Sequence, residues 1–159
     1  MIFITLGSQK FQFDRLLKAV DELIERGIIQ DEVFAQTGYS TYVPNNYKYE
    51  AFLDREAFLA MEGKADIVIT HGGTGAIIGA VKQGKKVIAV PRLSKYKEHV
   101  DDHQLQLIKQ FDEMNLICNC MNCDELEHAI KEVMVKKYNS YTSNTHSILA
   151  SIEKFIEGI

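Results

Sequence analysis

The sequence predicts an α/β fold in which helices cover a doubly wound, mostly parallel sheet. Short β-branched runs alternate with apolar stripes at helical spacing along the whole chain, which is typical of that class. The stretch Asp66–Pro91 contains one complete unit: a strand at Ile67–Ile69, a glycine turn, a helix and a second strand at Val87–Val90. Because a helix separates these strands, they are expected to run parallel. The right-handed crossover rule leaves few other topologies.

The first part of the chain predicts a second unit of the same kind. Ile2–Leu6 is an apolar strand that ends at a small polar turn, Gly7-Ser8-Gln9. An amphipathic helix follows this turn and stops at Gly27. Val33–Thr37 reads as the next strand. If both units share one sheet, their turns open at the carboxyl ends of the strands, where ligands bind in open α/β folds.

The next segment predicts an exposed strand and a capped helix. A polar loop spans Gly38–Asn46, and Tyr47 and Tyr49 then alternate with polar or charged residues, as in a strand with one face in water. Asp54 is the expected N-cap of a helix that runs to Gly63.

The last third predicts two helices around a short strand, followed by a terminal helix. After a charged loop, Arg92–His99, a helical stripe leads to a strand at Leu116–Cys118. Asp124 and Glu127 resemble a capping box for the next helix. The chain then predicts a polar loop and a final helix over 145–159.

A glycine turn is the first candidate site. Gly72, Gly73 and Gly75 let the backbone turn sharply with its N–H groups exposed. The N-terminus of the following helix adds about half a positive charge, which suits a phosphate. The alternative interpretation is a tight connection without a ligand.

Two known nucleotide motifs do not match this region. The dinucleotide pattern G-x-G-x-x-G/A requires Gly or Ala where the chain has Ile78, and an acidic residue where Pro91 and Arg92 stand. Lys86 replaces the Ser or Thr of a P-loop, and that segment follows a helix rather than a strand. NAD binding and a P-loop are therefore disfavoured.

Histidines beside these turns are candidates for chemistry. His71 directly precedes the glycines and is expected to face the cleft. His103 and Gln104 begin a helix. With the preceding Asp101 and Asp102, they offer hydrogen-bonding groups suited to sugar hydroxyls. The alternatives are a satisfied structural histidine and a solvated helix start whose acidic residues are favoured by the dipole.

Composition favours one cytoplasmic domain. The chain has 159 residues, 46% hydrophobic and 25% charged, enough for a single core. A net charge of -4 gives no basic footprint, so nucleic acid is disfavoured as a partner. No apolar run approaches the roughly 18 residues of a spanning helix, and Met1 leads into a strand rather than a signal peptide.

Three cysteines, Cys118, Cys120 and Cys123, lie close together near His128. A zinc site needs four ligands, usually with paired Cys-x2-Cys spacing, and here the fourth ligand would lie one helical turn away. Reduced, partly buried thiols are the favoured interpretation, and neither a metal nor a cofactor is predicted.

Several motifs carry a family resemblance: Ala65–Gly75, Gly84–Pro91 and His99–Gln104, continued by Phe3–Gln9, Phe13–Leu16 and Gln36–Tyr39. On these motifs nearly the whole chain resembles the C-terminal donor domain of glycosyltransferase family 28. It is most similar to stand-alone donor subunits, those of the two-component UDP-N-acetylglucosamine transferases of lipid-linked oligosaccharide synthesis and their bacterial capsule and exopolysaccharide counterparts. The resemblance implies a Rossmann-like sheet equivalent to the C-terminal half of a GT-B enzyme, in which two such domains face each other.

The resemblance also implies roles for individual residues. The nucleotide diphosphate would lie against Gly7, Ser8 and Gln9 and against the loop formed by His71, Gly72, Gly73, Thr74 and Gly75. Phe52 and Leu53 would lie near the uracil, and His103 and Gln104 would meet the donor sugar. Many members hold the ribose with a glutamate in the helix after the glycines, a position that Gly79 occupies here.

The expected chemistry is an inverting transfer without a metal. The glycine-turn amides, the helix dipole and Arg92 or Lys95 would stabilise the departing diphosphate. The general base is expected to be His71, Glu98 or His99, or a residue of a partner. The chain lacks an Asp-x-Asp metal motif.

One Rossmann-like domain cannot enclose an acceptor, because transfer in this architecture needs a second wall that excludes water. An acceptor-binding partner is therefore expected. The resemblance implies a lipid-linked saccharide acceptor, and since no spanning segment is predicted in this chain, the partner is expected to be membrane-anchored and to recruit the chain to the cytoplasmic face of the membrane. The apolar stripe of helix 145–159 is the candidate docking surface, and a stripe that only covers the sheet is the alternative. A non-catalytic nucleotide-sugar-binding subunit is the second functional hypothesis, and a nicotinamide-dependent oxidoreductase is the third.

Overall fold

The computed structural model describes residues 1–140, 150 and 152–154. In this part of the chain, six strands form one parallel sheet: β1 (Ile2–Thr5), β2 (Val33–Gln36), β3 (Lys48–Glu50), β4 (Ile67–His71), β5 (Lys86–Val90) and β6 (Cys118–Asn119). The strand order is β3-β2-β1-β4-β5-β6. The predicted doubly wound α/β fold is confirmed, and the alternation of strands and helices that predicted it is interrupted only between β2 and β3 in the described residues.

Helices cover both faces of this sheet. They are α1 (Asp14–Glu25), α2 (Arg55–Lys64), α3 (Thr74–Lys82), α4 (His103–Glu113) and α5 (Leu126–Val135). The apolar sides of α1 and α5 share one core with Ile2 and Ile4. Those of α3 and α4, together with part of α2, share the other core with Phe3. Successive residues of β1 thus point to opposite faces, and both faces are buried.

The connection between β2 and β3 contains no helix, in agreement with the polar loop that the sequence predicts there. The loop over residues 37–47 crosses α1 and is fastened there by two carboxylates. Asp14 accepts hydrogen bonds from Thr41 and from the Tyr42 backbone N–H. Asp21 accepts from the Tyr42 hydroxyl and from two further backbone N–H groups. These side chains thus accept hydrogen bonds from loop N–H groups that, in a helix, would bond to backbone carbonyls.

Two cap predictions had different outcomes. Asp54 caps α2 as predicted, since its side chain accepts from the Ala57 N–H at 2.7 Å. The capping box at Asp124 and Glu127 is wrong. Asn122 caps a short 3₁₀ turn, Cys123–Glu125, that precedes α5, and its side chain accepts from the Asp124 N–H. Glu127 instead pairs with Arg26 and Lys131.

The strand order reverses between β1 and β4. The chain moves from β1 outward to β2 and β3, and then returns through α2 to place β4 on the other side of β1. The turns after β1 and β4 therefore open side by side at the carboxyl edge of the sheet. Ligands of open α/β sheets bind at such a switch point.

The C-terminal docking prediction lies mostly outside the described residues. Ala150 and Ile152–Lys154 are helical, and Ile152 packs into the core beneath α3 and α4. Phe155, Ile156 and Ile159, on which that prediction depends, are not among the described residues. Within the described ranges, no helix combines the length and apolar character that crossing a bilayer requires.

Candidate functional site

His71 lies between two glycines at the switch point. A Cβ on Gly7, which has φ +74°, would come 2.7 Å from His71 Nε2, and a Cβ on Gly73 would come 2.1 Å from Cε1. The Gly73 N–H donates to His71 Nδ1 at 3.0 Å. The turns after β1 and β4 thus both close on one imidazole ring. Only glycine leaves room for that ring at either position.

The environment of His71 keeps its ring neutral. Burial lowers its pKa to about 3, and the charges of Arg92 and His99 act in the same direction. Because Nδ1 accepts from Gly73, the hydrogen bond places the ring proton of the neutral form on Nε2. The basic lone pair is therefore already engaged. This geometry suits a residue that positions the glycine turn better than it suits a general base.

Gln104 ties the ends of β4 and β5 together from the first turn of α4. Its Oε1 accepts from the Gly72 N–H at 3.0 Å and from the Arg92 N–H at 2.9 Å. The side chain is 2% exposed, and its amide nitrogen lies 3.5 Å from His71 Nδ1. Sequence analysis expected Gln104 to meet the donor sugar. The structure instead places it beneath the turn, where it holds two backbone amides in position.

Arg92 is directed inward rather than toward the cleft. Its guanidinium donates to the carbonyl oxygens of Leu6, Phe11 and Gln12, in the segment between β1 and α1. The residue is 1% exposed, and burial lowers its pKa to about 10. Its five N–H donors suit this fixed set of carbonyl acceptors. The expected contact between Arg92 and the diphosphate would require this cluster to break.

Glu98 is also buried and fully engaged. Arg15 forms a bidentate pair with its carboxylate at 3.0 Å for both bonds, and the Leu93 N–H donates to Oε1. The carboxylate therefore anchors the loop after β5 to α1. This arrangement suits a structural ion pair better than the general base that sequence analysis proposed. Arg15 was noted only as part of a motif, and nothing in the local sequence indicated its partner.

The first turn of α3 carries the amides that face solvent. The Gly72 and Gly73 N–H groups are taken by Gln104 and His71, as described. The N–H groups of Thr74, Gly75 and Ala76 have no acceptor inside the helix, because they belong to its first turn. Gly75 is exposed, and nothing lies within 4 Å of a Cβ built on it. An anion could therefore reach these amides at the positive end of the helix dipole.

A cleft of about 320 Å³ runs from this helix start between α2 and α3. Gly7 and Ser8 line one side of it, and Gly75 and Gly79 line another. Glu62 of α2 contributes a carboxylate to the wall. Sequence analysis missed Glu62, since α2 showed only a helical pattern there. The cleft has the place and the partly polar lining of a small-molecule site.

Aromatic side chains lie further out along the same edge. Phe52 is 48% exposed and Tyr39 is 47% exposed, and their rings meet edge to face with centroids 5.2 Å apart. Leu53 is held by a hydrogen bond from its N–H to Gln36 Oε1 at 2.9 Å. Exposed rings of this kind suit stacking of a base. The expectation that Phe52 and Leu53 lie near the uracil stays a prediction.

The loop between β5 and α4 gathers the remaining predicted residues. His99 packs on the Phe11 ring, and its pKa is lowered by burial and by His103. His103 contacts Asp101 through Nδ1. Potential ligand atoms of His99, Asp101 and His103 lie within 4.8 Å of one another, and these residues could hold a metal. Metal-free chemistry therefore stays a prediction.

Two other predicted residues of this loop remain at the surface. Lys95 is exposed, with its ammonium 5.0 Å from the Tyr96 ring centroid. The Asp102 carboxylate accepts from the Ser94 N–H at 2.8 Å. Lys95 is thus exposed to solvent, in contrast to the buried Arg92.

Comparison with known proteins places this site in a family. The model of the glycosyltransferase family 28 C-terminal domain matches residues 1–159. The chain belongs to this family. Its Rossmann-like sheet agrees with the fold that family membership predicts, and the motifs that carried the resemblance lie around the switch point described above.

Relatives of this family 28 domain include two transferase subunits. It is 28% identical over 128 residues to the UDP-N-acetylglucosamine transferase subunit ALG13 of Homo sapiens, a match that covers 75% of this chain and 11% of the human protein. It is 29% identical over 92 residues to the subunit of the same name from Kluyveromyces lactis, covering 55% of this chain and 45% of the yeast protein. The family 28 domain thus spans less than half the length of either relative.

A solved structure confirms the fold. The glycosyltransferase SnogD from Streptomyces nogalater superposes with a TM-score of 0.61 at 15% identity, over 98% of this chain and 39% of that protein. At this identity the likeness concerns the fold alone. Together with the parallel sheet, it confirms the predicted equivalence to one half of a GT-B glycosyltransferase.

Proposed function

We propose that this family 28 domain is the donor-binding subunit of a two-component inverting glycosyltransferase. It would move a hexose or N-acetylhexosamine from a UDP-sugar to a polyprenyl-linked saccharide in polysaccharide synthesis. The observation that carries the proposal is the open first turn of α3, which lies at the switch-point cleft with Gly75 and Ala76 in the cleft lining, in a chain of this family. The similarity to two UDP-N-acetylglucosamine transferase subunits supports the donor class.

The diphosphate would bind with its charge at the N-terminus of α3. The N–H groups of Thr74, Gly75 and Ala76 would donate to its oxygens, and the dipole would stabilise the charge that develops when the bond to the sugar breaks. The exposed Lys95 would add a mobile positive charge. His71 and Gln104 would act on the turn rather than on the donor, because they fix the two glycine amides behind it.

The general base would come from His99 or from a partner chain. Both His71 and Glu98 have their lone pairs engaged, whereas His99 is only partly buried. A membrane-anchored, acceptor-binding subunit would supply the second wall of the cleft and the lipid-linked acceptor. The proposal places the chain in the cytoplasm, recruited to the membrane by that subunit.

Nucleotide binding can be tested by ¹H–¹⁵N NMR titration of the chain with UDP and UDP-N-acetylglucosamine, which also detects weak binding. The amide signals of Thr74, Gly75 and Ala76 are expected to shift. Gly75→Asp should abolish this binding without unfolding the chain, because nothing lies within 4 Å of its Cβ and the carboxylate would repel a diphosphate. Gly63→Asp is the matched control, since Gly63 is also exposed and equally open. Binding that survives Gly75→Asp would refute the anion site.

An assay of turnover distinguishes an enzyme from a non-catalytic regulatory subunit. The second possibility would also fit the structure, because the side chains of His71 and Glu98 are already occupied by hydrogen bonds within the chain. Membranes from cells that carry or lack the chain are incubated with labelled UDP-sugars, and the label transferred to the lipid extract is measured. Transfer that requires the chain and is lost with Gly75→Asp is the expected result. UDP binding without any chain-dependent transfer would favour the regulatory subunit.

A further inference from the structure

The loop between β5 and α4 gathers two imidazoles around one carboxylate. Asp101 Oδ1 lies 3.4 Å from His99 Nδ1 and contacts His103 Nδ1 directly. One potential ligand atom from each of these residues lies within 4.8 Å of the other two. The rings of His99 and His103 meet edge to face, with centroids 4.9 Å apart. Among the described residues, no other group of three such side chains comes together in this way.

Buried side chains fix both ends of the segment that carries these three residues. Glu98, directly before His99, is paired with Arg15. Gln104, directly after His103, accepts hydrogen bonds from the backbone N–H groups of two neighbouring turns. Since the potential ligands are already held close together, an ion that binds them costs the loop little conformational freedom.

The chemistry and spacing of these residues favour zinc. Imidazole nitrogens suit Zn²⁺, whereas Mg²⁺ and Ca²⁺ prefer oxygen ligands. Zinc bonds of about 2.0–2.1 Å in a tetrahedron place the ligand atoms about 3.4 Å apart, which is the separation of His99 Nδ1 and Asp101 Oδ1. His103 Nδ1 has to move away from the carboxylate to admit the ion, and its side chain, 27% exposed, borders solvent on the side where it would move. The Asp101 side chain is 53% exposed, so an ion can enter from solvent.

The electrostatics of the loop make Asp101 the decisive ligand. The charge of the buried Arg92 acts on His99, and α4 begins at His103 with the positive end of its dipole. Both effects oppose a cation. Of the three ligands, only the Asp101 carboxylate carries a negative charge, so its replacement by an amide should weaken binding strongly.

We propose that His99, Asp101 and His103 bind one Zn²⁺ ion, with water at the fourth vertex of the tetrahedron. The inference does not rest on the proposed donor-binding function, because the ion needs no nucleotide. With zinc on Nδ1, the ring proton of His99 lies on Nε2. A His99 that carries the ion therefore has no lone pair left for a general base, and that role would fall to the partner chain.

Zn²⁺ binding can be measured by NMR of the histidine ring nitrogens in the folded, ¹⁵N-labelled chain. One equivalent of Zn²⁺ is expected to shift the ring signals of His99 and His103 and to leave those of the other histidines unchanged. Asp101→Asn keeps an oxygen that can accept from the His103 N–H, and it should weaken binding by about tenfold or more, as should His103→Gln. His128→Gln is the matched control and should bind as wild type does, since His128 is exposed and lies 3.7 Å from the Glu132 carboxylate.

Three results would overturn the assignment. The first is Zn²⁺ affinity that is equal in wild type and Asp101→Asn, or shifts centred on a histidine other than His99 and His103. The second is no Zn²⁺ binding to wild type at about 1 mM. The third comes from Co²⁺ in place of Zn²⁺: a strong near-ultraviolet absorption would reveal thiolate ligands and place the ion on cysteines instead. Mg²⁺ is expected to leave every ring signal unshifted, and Mg²⁺ shifts equal to those of Zn²⁺ would contradict a zinc site.

Discussion

Replacing the glycines of the turn by alanine should have opposite effects on stability at neighbouring positions. At Gly73, a methyl group would meet His71 Cε1 at 2.1 Å, and Gly7 packs closely against the same ring. At Gly75, nothing lies within 4 Å of the same methyl group. Gly73→Ala should therefore be destabilising, and Gly75→Ala should be neutral or stabilising.

The magnitudes follow from the contacts. Displacing the ring breaks the hydrogen bond from the Gly73 N–H to His71, which costs about 1–3 kcal/mol when the donor stays buried. Overpacking adds a similar amount, about 1–3 kcal/mol. Gly75→Ala instead gains up to about 1 kcal/mol of helix propensity. For a chain of this size, each kcal/mol changes Tm by roughly 2–4 °C.

Urea unfolding at 25 °C, followed by far-UV circular dichroism, measures both free energies of unfolding. Wild type and Gly63→Ala, a change at another open helical glycine, provide the reference. We expect Gly73→Ala to lose about 3 kcal/mol or more relative to Gly75→Ala. Equal stability of these two variants would show that His71 is not held between the glycines, and the account of this site would be wrong.

Three further predictions concern buried ionisable groups. The pKa of His71 is about 3 in the folded chain and about 6.5 in the unfolded chain. As the pH drops below about 6.5, the unfolded chain therefore binds a proton at this histidine and the folded chain does not. The free energy of unfolding should then fall by about 1.4 kcal/mol per pH unit. His71→Gln should remove that part of the pH slope between pH 7 and 5, and an unchanged slope would contradict the pKa shift. Arg15→Met should cost about 3 kcal/mol in urea unfolding by leaving Glu98 buried without its bidentate partner, and adding Glu98→Gln should recover part of the loss. A loss near zero would mean that the pair is not formed. Burial raises the pKa of the thiols of Cys118, Cys120 and Cys123 to about 11–12. Labelling by a thiol reagent at pH 8 should therefore be slow in the native chain and fast in urea. Rapid labelling of the native chain would argue against this burial.

The sequence could predict most of the fold because its signals are local. Period-2 and helical apolar patterns reveal strands and helices from neighbouring residues alone, and helices between strands impose a parallel sheet. Ile67–Ile69 and Val87–Val90 fall within β4 and β5, and Asp54 caps α2 as predicted. The polar loop and the exposed strand after β2 were also predicted, but the hydrogen bonds that fasten this loop to Asp14 and Asp21 of α1 were not, because they join segments distant in the sequence.

The sequence by itself determined where a site would form. A glycine turn that joins a buried strand to a helix creates free amides at a positive helix end, whatever lies around it. The placement of the predicted residues at the carboxyl edge follows from the same logic, since parallel strands bring their ends together.

Only the tertiary structure decided which side chains support the site and which face a ligand. Glu98 and Arg15 pair across 83 positions of the chain, and Arg92 binds a carbonyl oxygen 86 positions away, so no local pattern could reveal that both are engaged. Glu62 reaches the cleft from α2 and lies close to Gly79 of α3, a proximity that neither helix indicates by itself. Burial and hydrogen-bond partners depend on contacts between distant segments, and these contacts assign the roles that residue type and spacing leave open.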